Sequence, residues 1–496
     1  MIPPLLPDQL AQRHNTAWRI EPGRPDPADP VLEPAGPWES GCCNTHGGSL
    51  IDPVDGRWKL WYLANEVMAY EYRLCYAESA DGVRWERPRL DLCPYDDRHR
   101  ETNVLIDRSW GCNCHDGSVF VHRDAPPERR YEMFILLSRP RHLPTFRLRD
   151  FPLPPGEAQH RNGVYRLFSA DGLRWRIAAG GDFFPTSDSV YVFRDGADGY
   201  VAYHKTEVPS FPGTLVPYDI GRGGCRVIAR RTSPDGARWS DARLVLMPDW
   251  RDAHDTQFMD LHPHRVPGGY VAILTVYHAL SGTIDLQFAA SRDGLSWWRP
   301  DRRPCVGVRP LGDGASGQLW PAQQLVEHDG RLYCFFGGIE GLHHDVHATL
   351  PGEQVRSAGL PYREWRLAGE SYRPWPSDLP DHGAVYRVSW EMGRFWALLP
   401  AAGGPSEAVF TTAPAALVGQ RLSLNANVLE GGQLVAELLD GEGQPVPGFT
   451  AAECAPVRGD QRRLAVSWRG GEAAPVGAAS VRFTMRRARL YGLELA

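Results

Sequence analysis

Residues 169–175, with the sequence SADGLRW, contain the local pattern that decides the fold of this 496-residue chain. The phrase recurs with small changes as SADGVRW (79–85), SPDGARW (233–239) and SRDGLSW (291–297). Each copy lies between two alternating, β-like runs. Because glycine tolerates the positive φ that a tight turn needs, Asp-Gly between two such runs predicts a β-hairpin. The pattern therefore predicts a structural turn that the chain repeats, rather than a ligand site.

A second repeated element lies between these turns. It combines a polar cluster, a β-like run, a turn and an aromatic-rich run. It occurs over residues 47–63, 116–136, 187–204, 256–278 and 323–338. Pairs of hairpins at this spacing predict four-stranded blades, and five occurrences predict a five-bladed β-propeller.

The two repeats divide the chain into three parts. Residues 1–39 are predicted to be an N-terminal extension, and residues 40–400 to be the propeller. Residues 406–496 alternate β-like runs with Gly-rich turns, which is typical of a β-sandwich. The 17 Trp, 18 Tyr, 51 Gly and 43 Pro residues suit short strands and many turns. The predicted fold class is all-β, with a five-bladed β-propeller followed by a C-terminal β-sandwich.

Composition and sequence pattern indicate which binding partners and which cellular compartment to expect. The net charge of −6 gives no general attraction to nucleic acid or to anionic membranes. No stretch approaches the 18 apolar residues of a membrane span, and the first residues lack the pattern of a signal peptide. We expect a cytoplasmic protein whose ten cysteines are not joined by disulfides. The β-sandwich is the expected surface for any homo-oligomer.

The layout resembles that of glycoside hydrolase family 32, in which a five-bladed propeller precedes a β-sandwich. The propeller alone is similar to those of families 43 and 68. Family 32 carries Asn-Asp-Pro-Asn-Gly, Arg-Asp-Pro and Glu-Cys signatures in its first three blades. None of these occurs intact in the corresponding blades of this chain. Their nearest counterparts by position are residues 44–52, the pair His115 and Asp116, and either Asp188 or Glu207.

Polar residues at the start of each blade are the candidate catalytic groups, because the first strand of a blade lines the central funnel. Glycoside hydrolysis needs one carboxylic acid and one carboxylate. The predicted catalytic residues are Asp116, Asp188, Asp255 and Glu207. We rank Asp260 lower, because alternation along the strand is expected to direct it outward. The alternative for each aspartate is a cap on a turn.

Further polar and aromatic residues near these positions are predicted to contact substrate. His204 and Lys205 suit sugar hydroxyls or a phosphate, Trp320 offers a stacking face, and the loop at 337–347 carries a carboxylate and histidines. The predicted substrate-binding residues are His46, His115, His204, Lys205, Gln318, Trp320, Glu340 and His343.

No metal ligand or cofactor is assigned from the sequence. The residues that could supply soft ligands for zinc are Cys42, Cys43, Cys112, Cys114, His46 and His115, but Cys-x-Cys-His lacks the usual zinc spacing. Buried cysteines commonly behave as small apolar residues. A structural calcium or other divalent cation held by aspartates stays open.

These features predict a glycoside hydrolase that uses paired carboxylates on a small glycoside or oligosaccharide. Two alternatives stay open, namely a glycoside phosphorylase of the same fold and a non-catalytic carbohydrate-binding propeller. In each case the expected partner is a small carbohydrate, with no nucleic acid and no membrane.

Overall fold

The computed structural model describes residues 1–65, 72–140, 143–154, 156–178, 183–186, 188–196, 199–209, 224–310, 313–343, 383–404 and 406–496. Within these ranges the chain forms β-strands, short 3-10 turns and loops, with no α-helix. The predicted all-β class is confirmed. Three short strands come first, β1 (Leu10–His14), β2 (Thr16–Ile20) and β3 (Arg24–Pro25).

Five antiparallel units then follow one another along the chain. The first contains β4 (Cys42–Asn44), β5 (Ser49–Ile51), β6 (Trp58–Asn65), β7 (Arg73–Ser79), β8 (Trp85–Glu86) and β9 (Val104–Ile106). The second contains β10 (Asn113–Val121), β11 (Tyr131–Ser138), β12 (Gly163–Ser169), β13 (Trp175–Ile177) and β14 (Phe183–Phe184). The third contains β15 (Val190–Arg194), β16 (Tyr200–Pro209), β17 (Gly224–Ser233) and β18 (Arg243–Leu246). The fourth contains β19 (Thr256–Val266), β20 (Gly269–His278) and β21 (Thr283–Ser291). The fifth contains β22 (Gln318–Pro321), β23 (Val326–His328), β24 (Arg331–Ile339) and β25 (Gly383–Glu391).

Hydrogen bonding within the units follows the same meander. The strand orders are β4-β6-β7-β8, β10-β11-β12-β13 and β15-β16-β17-β18 in the first three units. In the fourth unit β19, β20 and β21 pair in sequence, and a bridge from Ala290 to Trp298 supplies the outer position. In the fifth unit β22, β24 and β25 pair in sequence, and β3 pairs with β25. An early segment of the chain therefore completes the last unit.

The repeated Ser-x-Asp-Gly turn has the same hydrogen bonds in all four copies. The serine Oγ accepts the glycine N–H at 2.8–3.0 Å. The aspartate Oδ1 accepts the N–H groups of the next two residues after that glycine. The four glycines have φ between +70° and +77°, in the left-handed region. The predicted turn and its reason are both confirmed.

Each turn also contacts the preceding unit. Trp61 of the first unit donates its indole N–H to the Gly172 carbonyl at 2.8 Å. Tyr203 of the third unit donates to the Gly294 carbonyl at 2.7 Å. Arg387 of the fifth unit donates to the Asp81 carbonyl of the first at 3.1 Å. These contacts, and the pairing of β25 with β4, arrange the units as a β-propeller. The number of blades stays a prediction, with which the five described units agree.

The remaining strands form a second sheet with its own core. They are β26 (Trp396–Pro400), β27 (Glu407–Thr412), β28 (Leu422–Leu439), β29 (Gly459–Ala465) and β30 (Ser480–Leu495). The order is β1-β27-β30-β26-β2, and β28 pairs with both β29 and β30. The sheet curls over one apolar cluster that includes Phe410, Trp468 and Phe483. β1 and β2 come from the predicted N-terminal extension and pair within this sheet. The predicted domain limits themselves stay predictions.

The cysteines lie in the described residues, and no disulfide joins any two of the ten. Nine are buried, and Cys225 is partly exposed. A search of the described part of the chain for a helix long and apolar enough to cross a membrane finds none.

Candidate funnel site

Loops and strand starts from several propeller units meet in one buried cluster. His46 follows β4, Asp116 lies in β10, and Ser189 directly precedes β15. The His46 carbonyl accepts the Gly117 N–H at 2.8 Å, and the Ser189 carbonyl accepts the Lys205 N–H at 2.9 Å. Asp116 and Ser189 have φ of +50° and +66°, which is uncommon for residues with a side chain. Such backbone conformations concentrate at functional sites, where the surrounding structure enforces them.

Asp116 lies at the centre of the cluster and is fully buried. Its Oδ1 lies 3.1 Å from His46 Nδ1, and its Oδ2 lies 2.8 Å from His115 Nδ1. The Ser189 N–H donates to Oδ2 at 2.5 Å, and Gln323 Nε2 donates to Oδ1 at 3.4 Å. Burial opposes ionisation, but His115 and His46 hold the pKa of Asp116 well below its usual range. Asp116 is therefore a carboxylate whose two oxygens are both engaged.

The two histidines beside Asp116 differ in their affinity for a proton. Burial and the neighbouring His115 lower the pKa of His46. Burial opposes protonation of His115 as well, but Asp116 raises its pKa above the usual value. The rings lie 4.5 Å apart between centroids, and the other side of His46 contacts Trp320 at 4.6 Å. A proton shared by this pair is held mainly by His115.

Asp188 and Lys205 form a second charged pair at the same site. Lys205 Nζ lies 2.5 Å from Asp188 Oδ1, and 51% of the Asp188 side chain is exposed. Restricted solvation opposes ionisation of Asp188, but Lys205 and His115 lower its pKa to about 2. Asp188 is the more accessible carboxylate of the cluster and is ionised at neutral pH.

Asp260 belongs to the cluster, although the sequence pattern favoured Asp255. Asp260 is 2% exposed, and its two oxygens have no hydrogen-bond partner in the described part of the chain. Burial and the negative charge of Asp116 raise the pKa of Asp260 well above its usual value. The pairing of β19 with β20 shifts register between Phe258 and Leu261. This irregularity breaks the simple alternation from which an outward direction was expected.

Two predicted catalytic residues lie away from Asp116. Asp255 accepts the Leu280 N–H at 3.0 Å, and its backbone carbonyl accepts the Ala279 N–H. It therefore caps the turn after β20, as the structural alternative anticipated. Glu207 is exposed near the end of β16. Neither has a contact with the Asp116 cluster among the described residues, and their catalytic roles stay predictions.

The predicted binding residues of the fifth unit form a connected group. Gln318 Oε1 lies 3.2 Å from both Trp320 Nε1 and His343 Nδ1. The His343 ring contacts Trp320 and Tyr277, with centroid separations of 5.4 and 5.0 Å. Trp320 is 5% exposed, so its ring packs between histidines instead of presenting an open face. Glu340 is half-buried in the adjoining loop.

His204 lies on β16, directly before Lys205, and is uncharged. Its Nδ1 lies 3.1 Å from the Lys205 carbonyl oxygen, and burial lowers its pKa to about 4. His262, which sequence reasoning passed over, is fully buried on β19, and burial lowers its pKa to about 3. Its position on β19, two residues from Asp260, was the available signal.

The cluster thus combines two kinds of carboxyl group with histidines and a lysine. Asp188 and Asp116 are ionised, whereas Asp260 favours the protonated form. Such a division supports proton transfer between groups of different acidity. His46, His115 and Asp116 also bring one ligand atom each within 4.8 Å of one another, which suits a metal ion.

Comparisons with known proteins give likeness of fold. No family model matches the chain, and no curated protein matches it. An N-acetylgalactosamine deacetylase from F. plautii, in complex with blood group B trisaccharide, is 16% identical, with a TM-score of 0.46 over 76% of this chain and 96% of that one. A β-1,2-mannobiose phosphorylase from Listeria innocua is 12% identical, with a TM-score of 0.42 over 66% of this chain and 94% of that one. A thermostable family-43 glycoside hydrolase is 12% identical, with a TM-score of 0.38 over 59% of this chain and 83% of that one.

The chain therefore resembles propeller-type glycoside hydrolases and phosphorylases, and the resemblance to family 32 is not confirmed. At these TM-scores the likenesses decide neither the reaction nor the substrate.

Proposed function

We propose that this protein is a glycoside hydrolase whose reaction takes place in the propeller funnel. The proposal rests on one observation: the cluster contains both an ionised carboxylate and a protonated carboxyl group. Asp188 is ionised beside Lys205, and Asp260 is held in its protonated form by burial and by Asp116. Hydrolysis of a glycosidic bond needs such an acid and such a carboxylate.

The roles follow from the surroundings of each group. Asp260 donates a proton to the leaving glycosidic oxygen as the C–O bond breaks. Asp188 accepts a proton from the water that adds to the sugar carbon, or attacks that carbon itself before water replaces it. Its half-exposed side chain gives it access to solvent and substrate.

Asp116 is better suited to positioning than to proton transfer. Its oxygens are engaged by His46, His115 and the Ser189 N–H, whereas neither Asp260 oxygen has a hydrogen-bond partner among the described residues. It therefore fixes the orientation of two rings that face the funnel. His115 and Lys205 are the proposed contacts to substrate hydroxyls.

Substitution of the two carboxyls tests the proposal. A panel of aryl glycosides and oligosaccharides is screened with and without phosphate, and the best substrate is used for kinetics. We expect Asp188→Asn and Asp260→Asn each to lower kcat about 10²- to 10⁴-fold, the usual contribution of acid–base catalysis. Asp171→Asn is the matched control, because the Asp171 carboxylate accepts N–H groups within its own turn and no catalytic role is predicted for it. It should retain near-normal kcat.

Other outcomes identify the alternatives. Turnover that depends on phosphate would indicate a phosphorylase. Sugar binding without turnover of any substrate would indicate a non-catalytic propeller. Normal kcat in both carboxyl variants, with a substrate in hand, would refute the assignment of Asp188 and Asp260.

A further inference from the structure

The cluster around Asp116 also has the composition of a metal centre. We infer that His46, His115 and Asp116 bind a divalent first-row transition-metal ion. Two imidazoles and one carboxylate are a ligand set that leaves coordination positions open for water or substrate. This site goes beyond the proposed acid–base reaction, which assigns these residues no metal.

The separations between the ligand atoms fit a bound ion. Nitrogen and oxygen ligands lie about 2.0–2.2 Å from zinc, which places neighbouring ligand atoms about 3.0–3.5 Å apart. His46 Nδ1 lies 3.1 Å from Asp116 Oδ1, and His115 Nδ1 lies 2.8 Å from Asp116 Oδ2. The set stays within 4.8 Å overall. Small side-chain rotations would bring all three ligands onto one ion.

The surroundings hold the carboxylate in place, as they do for ligands in known metal centres. The Ser189 N–H donates to Asp116 Oδ2 at 2.5 Å, and Gln323 Nε2 lies 3.4 Å from Oδ1. Gln323 is itself held by Ser118, whose hydroxyl lies 3.2 Å from Gln323 Oε1. These contacts come from three different units of the propeller, so the position of Asp116 depends on the assembled fold.

A second observation points to a cation independently of the three ligands. Asp260 is 2% exposed, and neither carboxylate oxygen has a hydrogen-bond partner in the described residues. It interacts electrostatically with Asp116, Lys205, His115 and Asp188. Buried carboxylates are normally paired or placed beside a metal. A divalent cation at the triad, or a water bound to it, would supply Asp260 with the polar partner that it lacks among the described residues.

The ligand types favour a transition metal over calcium or magnesium. Imidazole suits zinc, iron, nickel and copper, whereas calcium and magnesium take oxygen ligands. The thiols that could have suggested a zinc site lie elsewhere, since Cys114 Sγ contacts the Tyr72 carbonyl at 3.4 Å. An ion here would lower the pKa of a bound water and supply a nucleophile.

Metal titration of the full chain tests this inference. The protein is stripped with a chelator and titrated with Co²⁺, followed by visible absorption, and Zn²⁺ is measured by calorimetry. We expect one ion per chain, and His46→Gln and His115→Gln should each weaken binding at least about 100-fold. His204→Gln is the control, because His204 is a buried histidine on β16, next to Lys205 in sequence, and lies outside the triad. It should bind like the wild type.

A measurement on unaltered protein covers the case in which a variant does not fold. X-ray absorption of the zinc-loaded wild type should show two imidazole ligands and further oxygen ligands. Absence of stoichiometric binding by the wild type would overturn the inference, as would wild-type affinity in folded His46→Gln and His115→Gln. Because no substrate is used, either result leaves the test of Asp188 and Asp260 separate.

Discussion

The repeated turns and the funnel cluster belong to the same propeller units, but the residues in contact are separated by very different lengths of sequence. In the turn at 169–175, the side chains of Ser169 and Asp171 accept N–H groups no more than three residues away. In the funnel, Asp116 contacts His46 across 70 residues and Gln323 across 207 residues. The turns have satisfied polar groups and glycine where φ is positive. The funnel has an aspartate at positive φ and a buried carboxyl group, that of Asp260, without a hydrogen-bond partner among the described residues. The turns thus have the features of stable local structure, whereas the Asp116 cluster has the unusual backbone conformations that concentrate at functional sites.

The turn glycines should give the largest loss of stability. Gly294 has φ of +70°, and a Cβ there would lie 2.8 Å from the buried Tyr203 hydroxyl. We expect Gly294→Ala to lower the free energy of unfolding by about 3 kcal/mol, from backbone strain and overpacking together. Gly56→Ala is the control, because Gly56 has φ of +73° with nothing within 4 Å of the added carbon. Urea unfolding followed by tryptophan fluorescence should show a clearly smaller loss there. Equal losses would mean that the contact with the neighbouring unit contributes little.

A substitution in the funnel cluster should raise the free energy of unfolding instead of lowering it. The pKa of Asp260 is raised in the folded state, so the folded protein resists ionisation of this group. The resulting loss of stability grows as pH rises above the pKa of about 4 that the group has in the unfolded chain. We expect Asp260→Asn to raise the free energy of unfolding by about 2 kcal/mol at pH 7 and to have little effect at pH 4. Urea unfolding at both pH values, in chelator-treated protein, measures the difference. Destabilisation at pH 7 would contradict the view that this carboxyl lowers stability.

His262 extends the comparison to acid pH. Burial lowers its pKa to about 3, so between this value and about 6.5 only the unfolded chain takes up the proton. Stability is therefore complete above pH 6.5 and is lost as pH falls, by about 1.4 kcal/mol at pH 5.5 for this group. We expect His262→Gln to reduce the loss between pH 7.5 and 5.5 by that amount. An unchanged pH slope would show that His262 is not held neutral.

The smallest effects should come from the turn serines, and they should be alike. Each serine Oγ accepts one glycine N–H in the same geometry. Ser79→Ala, Ser169→Ala, Ser233→Ala and Ser291→Ala should each lower the free energy of unfolding by about 1 kcal/mol. Thermal unfolding of the four variants side by side measures their spread. A spread wider than the mean loss would show that the four turns are not equivalent.

Local chemistry explains which parts of the fold could be predicted. Short stretches of sequence are enough to predict the four turns, the strands beside them and the change of sequence pattern near residue 406. The pairing of β1 with β27 could not be predicted, because Leu10 and Thr412 lie 402 residues apart and no local signal joins them. The turn could be inferred from seven residues, whereas the sheet order depends on the whole chain.

The candidate site was predicted in part for the same reason. His46, His115, Asp116, Asp188 and Lys205 were expected in the funnel, and the structure brings them together. Asp260 was missed, because the irregular pairing in β19 overrides the alternation of a regular strand. The engagement of both Asp116 oxygens could not be inferred either, since it depends on Ser189 and Gln323 from other units.

The strands at the start of the chain have a consequence for how the protein is made. β1 and β2 pair with β27 and β26, and β3 pairs with β25. A ribosome synthesises residues 10–25 first, yet their partners at 388–412 emerge only after more than three-quarters of the chain. Until then these segments hold unpaired backbone groups that another nascent chain could pair with. Contacts of such long range also slow folding, since the loop must close before any pairing is gained. Rapid synthesis at high concentration should therefore favour exchange of this segment between chains.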